Sequence, residues 1–236
     1  MKISDRGMQW IINFFTSSIG RKLIMSLTGL FLVTFLTVHL LGNLQLLVND
    51  GGDSFNAYAY FMTHNPLIKT VSYGLYFFIL LHAWLGFVIY FKNKRAKGSS
   101  YAVRSNANVT WASKNMALLG TLILAFIFLH MGDFWFKMKF TDQLVMVDVT
   151  SLDHKVKDLY SSVAFTFGNP YMVGAYLFGL LALAFHLWHG FQSAFQTLGI
   201  NHKKYTPIIK LLGQGYAILV PLAYAIIPLY YFFVLK

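Results

Sequence analysis

Cysteine and glutamate are both absent from this 236-residue chain, and only 11% of its residues are charged. Without cysteine there is no disulfide, no thiolate ligand for an iron–sulfur cluster and no attachment motif for a c-type haem. All 8 acidic residues are aspartate. That is too little polar surface to clothe a soluble domain of this length. The formal charge of +11 points to nucleic acid only where basic residues gather in one patch, and here they sit between apolar runs. Lys2 and Arg6 are not followed by a short apolar core and a small-residue cleavage site, so no removable signal peptide is expected.

What is abundant is apolar. Hydrophobic residues make up 57% of the chain and its mean hydropathy is +0.56. A run of about 20 apolar residues crosses a bilayer, and the sequence holds such runs at about 21–48, 66–91, 111–136, 169–198 and 207–233. The expected fold is all-α: one integral membrane domain over residues 1–236, a bundle of five transmembrane helices. Before it, Met8, Trp10, Ile11, Phe14 and Phe15 are spaced to lie on a membrane surface. Asn49 to Asp53 is a turn cluster, and Pro66 suits a first helical turn. The basic loop near residue 100 has too little apolar content to fold alone. In the connection 137–168, Leu152, Val156, Leu159, Tyr160 and Val163 form a helical stripe behind Ser151 and Asp153 as cap candidates. Gly199 marks the end of the fourth span, and Pro221 and Pro228 are expected to kink the fifth. The N-terminal segment and the loops near 100 and 199–210 carry 13 Lys and Arg, the opposite side 6. The N-terminus is therefore expected inside and the C-terminus outside.

Four of these spans each carry a histidine: His39, His82, His130 and His186. An ionisable side chain within a span is costly and marks function by default. At about 1.5 Å per residue, His39 and His130 lie about 25 Å from the inner boundary. His82 and His186, on helices running the other way, lie at about 15–20 Å. Two imidazoles at one depth on facing helices are what a bis-histidine b-type haem requires, and two such levels give two stacked haems. A packing histidine bonded to Ser or Thr explains one such residue as well, but four at paired depths poorly. Spacing alone does not choose between His186 and His189, one turn apart on nearly one face. His154 and His202 read as loop residues. Gly29, Gly42, Gly74, Gly86, Gly120, Gly174, Gly179 and Gly190 thin the helices where backbones or a porphyrin approach, and simple helix–helix packing explains most of them equally well.

Haem propionates need donors near the inner surface, and Arg21, Ser26, Lys92, Trp111 and Lys114 are candidates. A quinone beside the outer level needs a polar group, for which Asn43, Asp50, Asp53, His64 and Asp133 are available. A plain anchoring or solvated role competes with each of these.

The stretches GRKLIMSLTGL and VHLLGN, then LHAWLGF, the LH of the third span, and FGNPYMVGAYL to FHLWHGFQSAFQTLGI resemble one known family. It is the cytochrome b membrane anchor of succinate dehydrogenase/fumarate reductase, in its single-chain, five-helix, diheme form, as in Bacteroidetes-like bacteria. The likeness covers most of residues 17–202. It implies that His82 and His186 hold the inner haem and His39 and His130 the outer. In that family the fourth ligand stands four residues before one glycine and thirteen before another, as His186 does before Gly190 and Gly199. Ser26 matches a position that meets an inner-haem propionate, and Trp111 lies near another. Some relatives carry a proton-transferring Glu two residues before the fourth ligand, where this chain has Ala184. The resemblance further implies a bacterial cytoplasmic membrane, an iron–sulfur subunit and a flavoprotein as partners, and a quinone, menaquinone, as substrate. With no flavin-binding motif, this chain holds no dicarboxylate site of its own. The competing readings are the diheme subunit of another quinone-linked enzyme, a hydrogenase or formate dehydrogenase, and a transporter or proton channel with histidines along its path.

Overall fold

The computed structural model describes residues 2–96 and 110–235, with side chains from residue 8 onward. The middle of the basic loop, 97–109, lies outside the described residues. Helix α1 (Lys2–Thr16) leads into α2 (Ser18–Asn43) at Ser17, whose hydroxyl accepts from Gly20 N at 2.9 Å. That bond satisfies one of the orphan donors of the first turn. A 3-10 turn (Leu44–Leu47) ends α2. Gly51 and Gly52 then turn the chain with φ of +67° and +90°, which side chains resist, and α3 (Asp53–His64) follows. Helix α4 (Pro66–Ala96) starts on its proline, and Asn65 Oδ1 accepts from Leu67 N and Ile68 N. The short α5 (Trp111–Lys114) precedes α6 (Met116–His130), a π-helical turn (Met131–Phe136) and α7 (Lys137–Phe140). Strands β1 (Met146–Val147) and β2 (Val156–Lys157) pair antiparallel and lead to α8 (Leu159–Phe167). Two long helices close the chain, α9 (Pro170–Thr197) and α10 (Thr206–Phe233).

Five helices are long and apolar enough to cross a membrane: Ser18–Leu47, Pro66–Ala96, Met116–Phe140, Pro170–Thr197 and Thr206–Phe233. This is an all-α, multi-pass membrane protein. Its exposed apolar residues, among them Leu80, Leu118, Phe128, Leu181 and Leu219, suit a lipid surround, since backbone polar groups are satisfied within each helix.

Close approach fixes the packing. A methyl on Gly29 would touch the His82 ring at 3.2 Å, and Phe31 packs against Phe78 with its ring tilted by 58°, so α2 and α4 run antiparallel. Gly179 against Phe126 does the same for α9 and α6, and Gly213 against Phe191 for α10 and α9. Helix α10 has no histidine; it bolts α2 in place. The hydroxyls of Tyr216, Tyr224 and Tyr231 donate to the carbonyls of Val33, Leu36 and Leu46 at 2.7, 2.7 and 3.0 Å. Pro221 and Pro228 lie inside this helix without dividing it.

The connection 137–168 differs from its sequence reading. The stripe is split between a hairpin and α8, and the cap is Asp158, not Ser151 or Asp153. Asp158 Oδ1 accepts from Ser161 N at 3.0 Å and from Asn56 Nδ2 at 2.9 Å. Asn56 Oδ1 in turn accepts from Leu159 N and Tyr160 N at 3.0 Å each. One buried asparagine of α3 therefore decides where α8 begins, a long-range bond that no local pattern contains. The hairpin end of the bundle closes on a core of Leu46, Phe55, Val163, Phe167, Val173, Tyr176, Ile227 and Tyr231.

Candidate functional site

A cavity of about 1450 Å³ runs through the bundle, from Lys22, Lys94 and Lys114 at one end to Lys69 and Lys139 at the other. Single-ligand pockets hold about 300–1,000 Å³; this one has room for more. His39, His82, His130, His186 and His189 all line it. The rings of His39 and His130 stand 5.8 Å apart, centroid to centroid, at 82°. Those of His82 and His186 stand 6.2 Å apart at 69°. His82 meets the ring of His186 and makes no ring contact with His189, which separates the two histidines that spacing left equal.

The pairs lie at two levels. Gly29, ten residues before His39 on α2, sits against His82, so the levels differ by about 15 Å of helix. The His82–His186 level carries the glycines: Gly29, Gly86, Gly120 and Gly190 line the cavity, one from each of α2, α4, α6 and α9. No heavy atom outside its own helix lies within 4 Å of a methyl placed on Gly120. The His39–His130 level is aromatic. His39 stacks on Phe35 at 5.1 Å and leans on Tyr224 at 6.0 Å. His130 is enclosed by Phe126, Phe134 and Tyr176 at 5.9, 5.5 and 6.0 Å. The π-helical turn begins directly after His130, the kind of local widening that gathers at functional sites. It carries Asp133, whose Oδ2 accepts from Tyr176 at 2.8 Å.

Hydrogen bonding divides each pair into a braced and an unbraced ring. His82 Nδ1 lies 3.0 Å from Thr28 Oγ1. His39 Nδ1 lies 3.3 Å from Asn43 Nδ2, which also donates to the His39 carbonyl at 2.7 Å. The buried Nδ1 atoms of His130 and His186 have no hydrogen-bond partner among the described residues.

Of the candidate propionate donors, Ser26 and Lys114 line the cavity, and Arg21, Lys92 and Trp111 do not. Ser26 is 6% exposed and donates to the Lys22 carbonyl at 3.0 Å. Trp111 is 57% exposed and packs edge-on against Phe185. Lys22 and Lys94 line the cavity instead. For Lys22 the signal was present, because 22, 26, 29, 33 and 36 form one helical stripe of α2.

The candidate quinone residues divide similarly. Asn43 lines the cavity. Asp50 accepts from Gly52 N and Ser54 N at 3.0 Å each, holding the turn before α3. These bonds from Ser54, side chain and backbone, keep its carboxyl below the ordinary carboxylate range. Asp53 accepts from Thr150 N at 2.7 Å and Thr150 Oγ1 at 2.6 Å, tying α3 to the hairpin. The His64 ring stacks on Tyr60 at 4.0 Å, away from the cavity. Asp133 is turned to Tyr176 and does not line the cavity, although Tyr176 does. Sequence reasoning missed Tyr76 and Trp135, cavity-lining residues whose side chains join across α4 and the π turn at 2.8 Å. It also missed Tyr58, whose hydroxyl rests against Gly42 and whose phenol burial pushes upward in pKa.

Comparison with protein families, characterised proteins and solved structures finds no match to this chain. Its function is argued from the cavity.

Proposed function

We propose that this chain is a diheme cytochrome b: His39 with His130, and His82 with His186, are axial ligand pairs for two b-type haems in a bundle oriented with its N-terminus inside. The observation that carries the reading is the opposition of two imidazole pairs, from four helices, inside one cavity. Rings about 6 Å apart leave space for one metal ion bound by a nitrogen of each at about 2 Å. No group of three or more His, Asp or Glu that could hold a bare metal ion occurs among the described residues. A two-nitrogen donor set needs its remaining ligands from elsewhere, and a porphyrin supplies four in a plane. The glycine-lined walls leave room for such a plane, and the donor set fits it.

The resemblance extends the proposal to the membrane anchor of a succinate:quinone oxidoreductase in a bacterial cytoplasmic membrane. The bound haems would carry electrons between an iron–sulfur subunit, itself joined to a flavoprotein, and a membrane quinone, menaquinone. This chain's residues hold and orient. Lys22, Lys94, Lys114 and Ser26 offer cations and a hydroxyl at the end where propionates would emerge. Tyr76, Trp135 and Asn43 offer polar groups beside the other pair, where a quinone could be bound. Helix α10 fixes the rotation of α2 through its three tyrosine hydroxyls.

The test is purification from solubilised membranes, with haem, iron and flavin quantified and reduced-minus-oxidised spectra recorded. Two haems per chain with a split b-type α-band are expected, together with a flavoprotein and an iron–sulfur subunit. A colourless protein sinks the cytochrome reading in favour of a transporter. Hydrogenase or formate dehydrogenase subunits in the preparation would keep the haems and change the enzyme.

A further inference from the structure

We propose that Thr28 is a positioning residue for His82: its hydroxyl fixes which ring nitrogen of His82 bears the proton, and so sets the electron-donating strength of one axial ligand. This rests on the diheme reading.

Thr28 is 3% exposed and sits on α2 beside Gly29, where the His82 ring comes closest. Its Oγ1 lies 2.8 Å from the Ile24 carbonyl, 3.1 Å from the Met25 carbonyl and 3.0 Å from His82 Nδ1. A hydroxyl has one proton and two lone pairs. Carbonyls only accept, so the proton goes to the nearer one, that of Ile24. A lone pair is left facing His82 Nδ1, which therefore carries hydrogen and donates. The neutral ring then keeps its free pair on Nε2, which makes no hydrogen bond among the described residues. Gly29 is what allows this approach, since a methyl there would stand 3.2 Å from His82 Cε1 and 3.8 Å from Nδ1.

The arrangement is peculiar to this histidine. His186 and His130 have buried Nδ1 atoms without a partner among the described residues. At His39 the ring faces the Asn43 amide NH2, 3.3 Å from Nδ1 and 3.4 Å from Nε2, which also donates to the His39 carbonyl; such a group donates rather than accepts. An imidazole that donates from Nδ1 to a fixed acceptor is a stronger ligand at Nε2. A stronger ligand favours the oxidised metal and lowers the potential. Of the four imidazoles, only His82 has that device.

The experiment is redox titration of the purified complex carrying wild-type, Thr28→Val or Thr28→Ser chains, with low-temperature EPR of the oxidised haems. Thr28→Val keeps the shape and removes the hydroxyl acceptor, while the Met25 carbonyl, which also bonds the His82 ring, stays in place. It is expected to raise one haem's midpoint potential, shift that haem's low-spin signal, leave the other haem unchanged and weaken retention of the affected haem about 10–100-fold. Thr28→Ser restores the wild-type values. Two haems in Thr28→Val with both potentials unmoved overturn the inference and leave the diheme reading standing. Loss of both haems in Thr28→Val and Thr28→Ala alike, or a serine variant that behaves like valine, assigns Thr28 to packing and also overturns it. A wild-type complex without haem overturns the diheme reading and this inference together.

Discussion

The two histidine pairs are built by opposite means. Around His82 and His186 the helices are thinned, with a glycine from each of four helices lining the cavity. One ring is braced by a threonine hydroxyl at 3.0 Å. Around His39 and His130 the helices are spaced by aromatic rings: Phe35 and Tyr224 on one side, Phe126, Phe134 and Tyr176 on the other. The first level owes its geometry to backbone approach, the second to ring packing. The same chemistry can thus be positioned in two ways, and each way has its own point of failure.

The largest expected effect comes from removing a ligand. His130→Ala should abolish one of the two proposed haems and spare the other, and His186→Ala should do the reverse. Pyridine haemochrome content and the split α-band measure both. Equal loss of both haems in either variant would show that the levels are not independent.

Next in size is Gly179→Ala. The new methyl meets Phe126 Cδ2 and Cγ at 2.5 Å. Phe126 must shift, and it packs on His130 and Tyr176. Overpacking of this kind costs about 1–3 kcal/mol. The thermal unfolding temperature in detergent should fall accordingly, with spectral change confined to the haem proposed for His39 and His130.

A smaller and opposite result is expected at Gly120, ten residues before His130 and so level with the other pair. A methyl there meets nothing within 4 Å and projects where the cavity is. Alanine should stabilise the helix by about 0.5–1 kcal/mol relative to glycine. Haem affinity at the His82–His186 level should drop at the same time. Stability rising as haem content falls would mark Gly120 as cofactor space; both rising would mark it as ordinary helix.

Much of this was legible in the sequence. Long apolar runs fix the spans because a bilayer leaves no other way to satisfy the backbone, and residue rise converts histidine spacing into depth. Rotation about the helix axis is what depth leaves out. Arg21 and Lys22 are equally placed along α2, yet only Lys22 lines the cavity. His186 and His189 differ by one turn, which rise per residue does not resolve, and it is His186 that the His82 ring meets. The outer connections were least readable, because their bonds are distant in sequence: Asn56 with Asp158 and Leu159, Asp53 with Thr150. Of the two aspartates plausible as quinone groups by position, Asp50 holds the turn before α3 and Asp53 ties α3 to the hairpin.

The smallest expected effect concerns these carboxylates, and it too distinguishes the two levels. Every aspartate except Asp5 lies on the side of the chain that closes over the His39–His130 pair. Asp50 is held below the ordinary carboxylate range by hydrogen bonds from Ser54, then from Gly52. A carboxyl whose folded pKa is depressed adds stability that is fully present above its unfolded value, about 3.9, and is lost as pH falls through the lower folded value. Acid should therefore loosen the turn between α2 and α3 while the end lined by Lys22, Lys94 and Lys114, which has no such carboxylate bond among the described residues, stays as it was. Amide exchange measured as pH is lowered, and corrected for intrinsic rates, should show Gly52 and Ser54 losing protection before any amide of α4 near His82. Because solvent still reaches the half-buried Asp50, the change should be slight, and Asp50→Asn, which keeps an acceptor without the charge, should remove its pH dependence. Equal loss of protection at both ends would mean that acid acts on the bundle as a whole, and the two levels would not be mechanically separate.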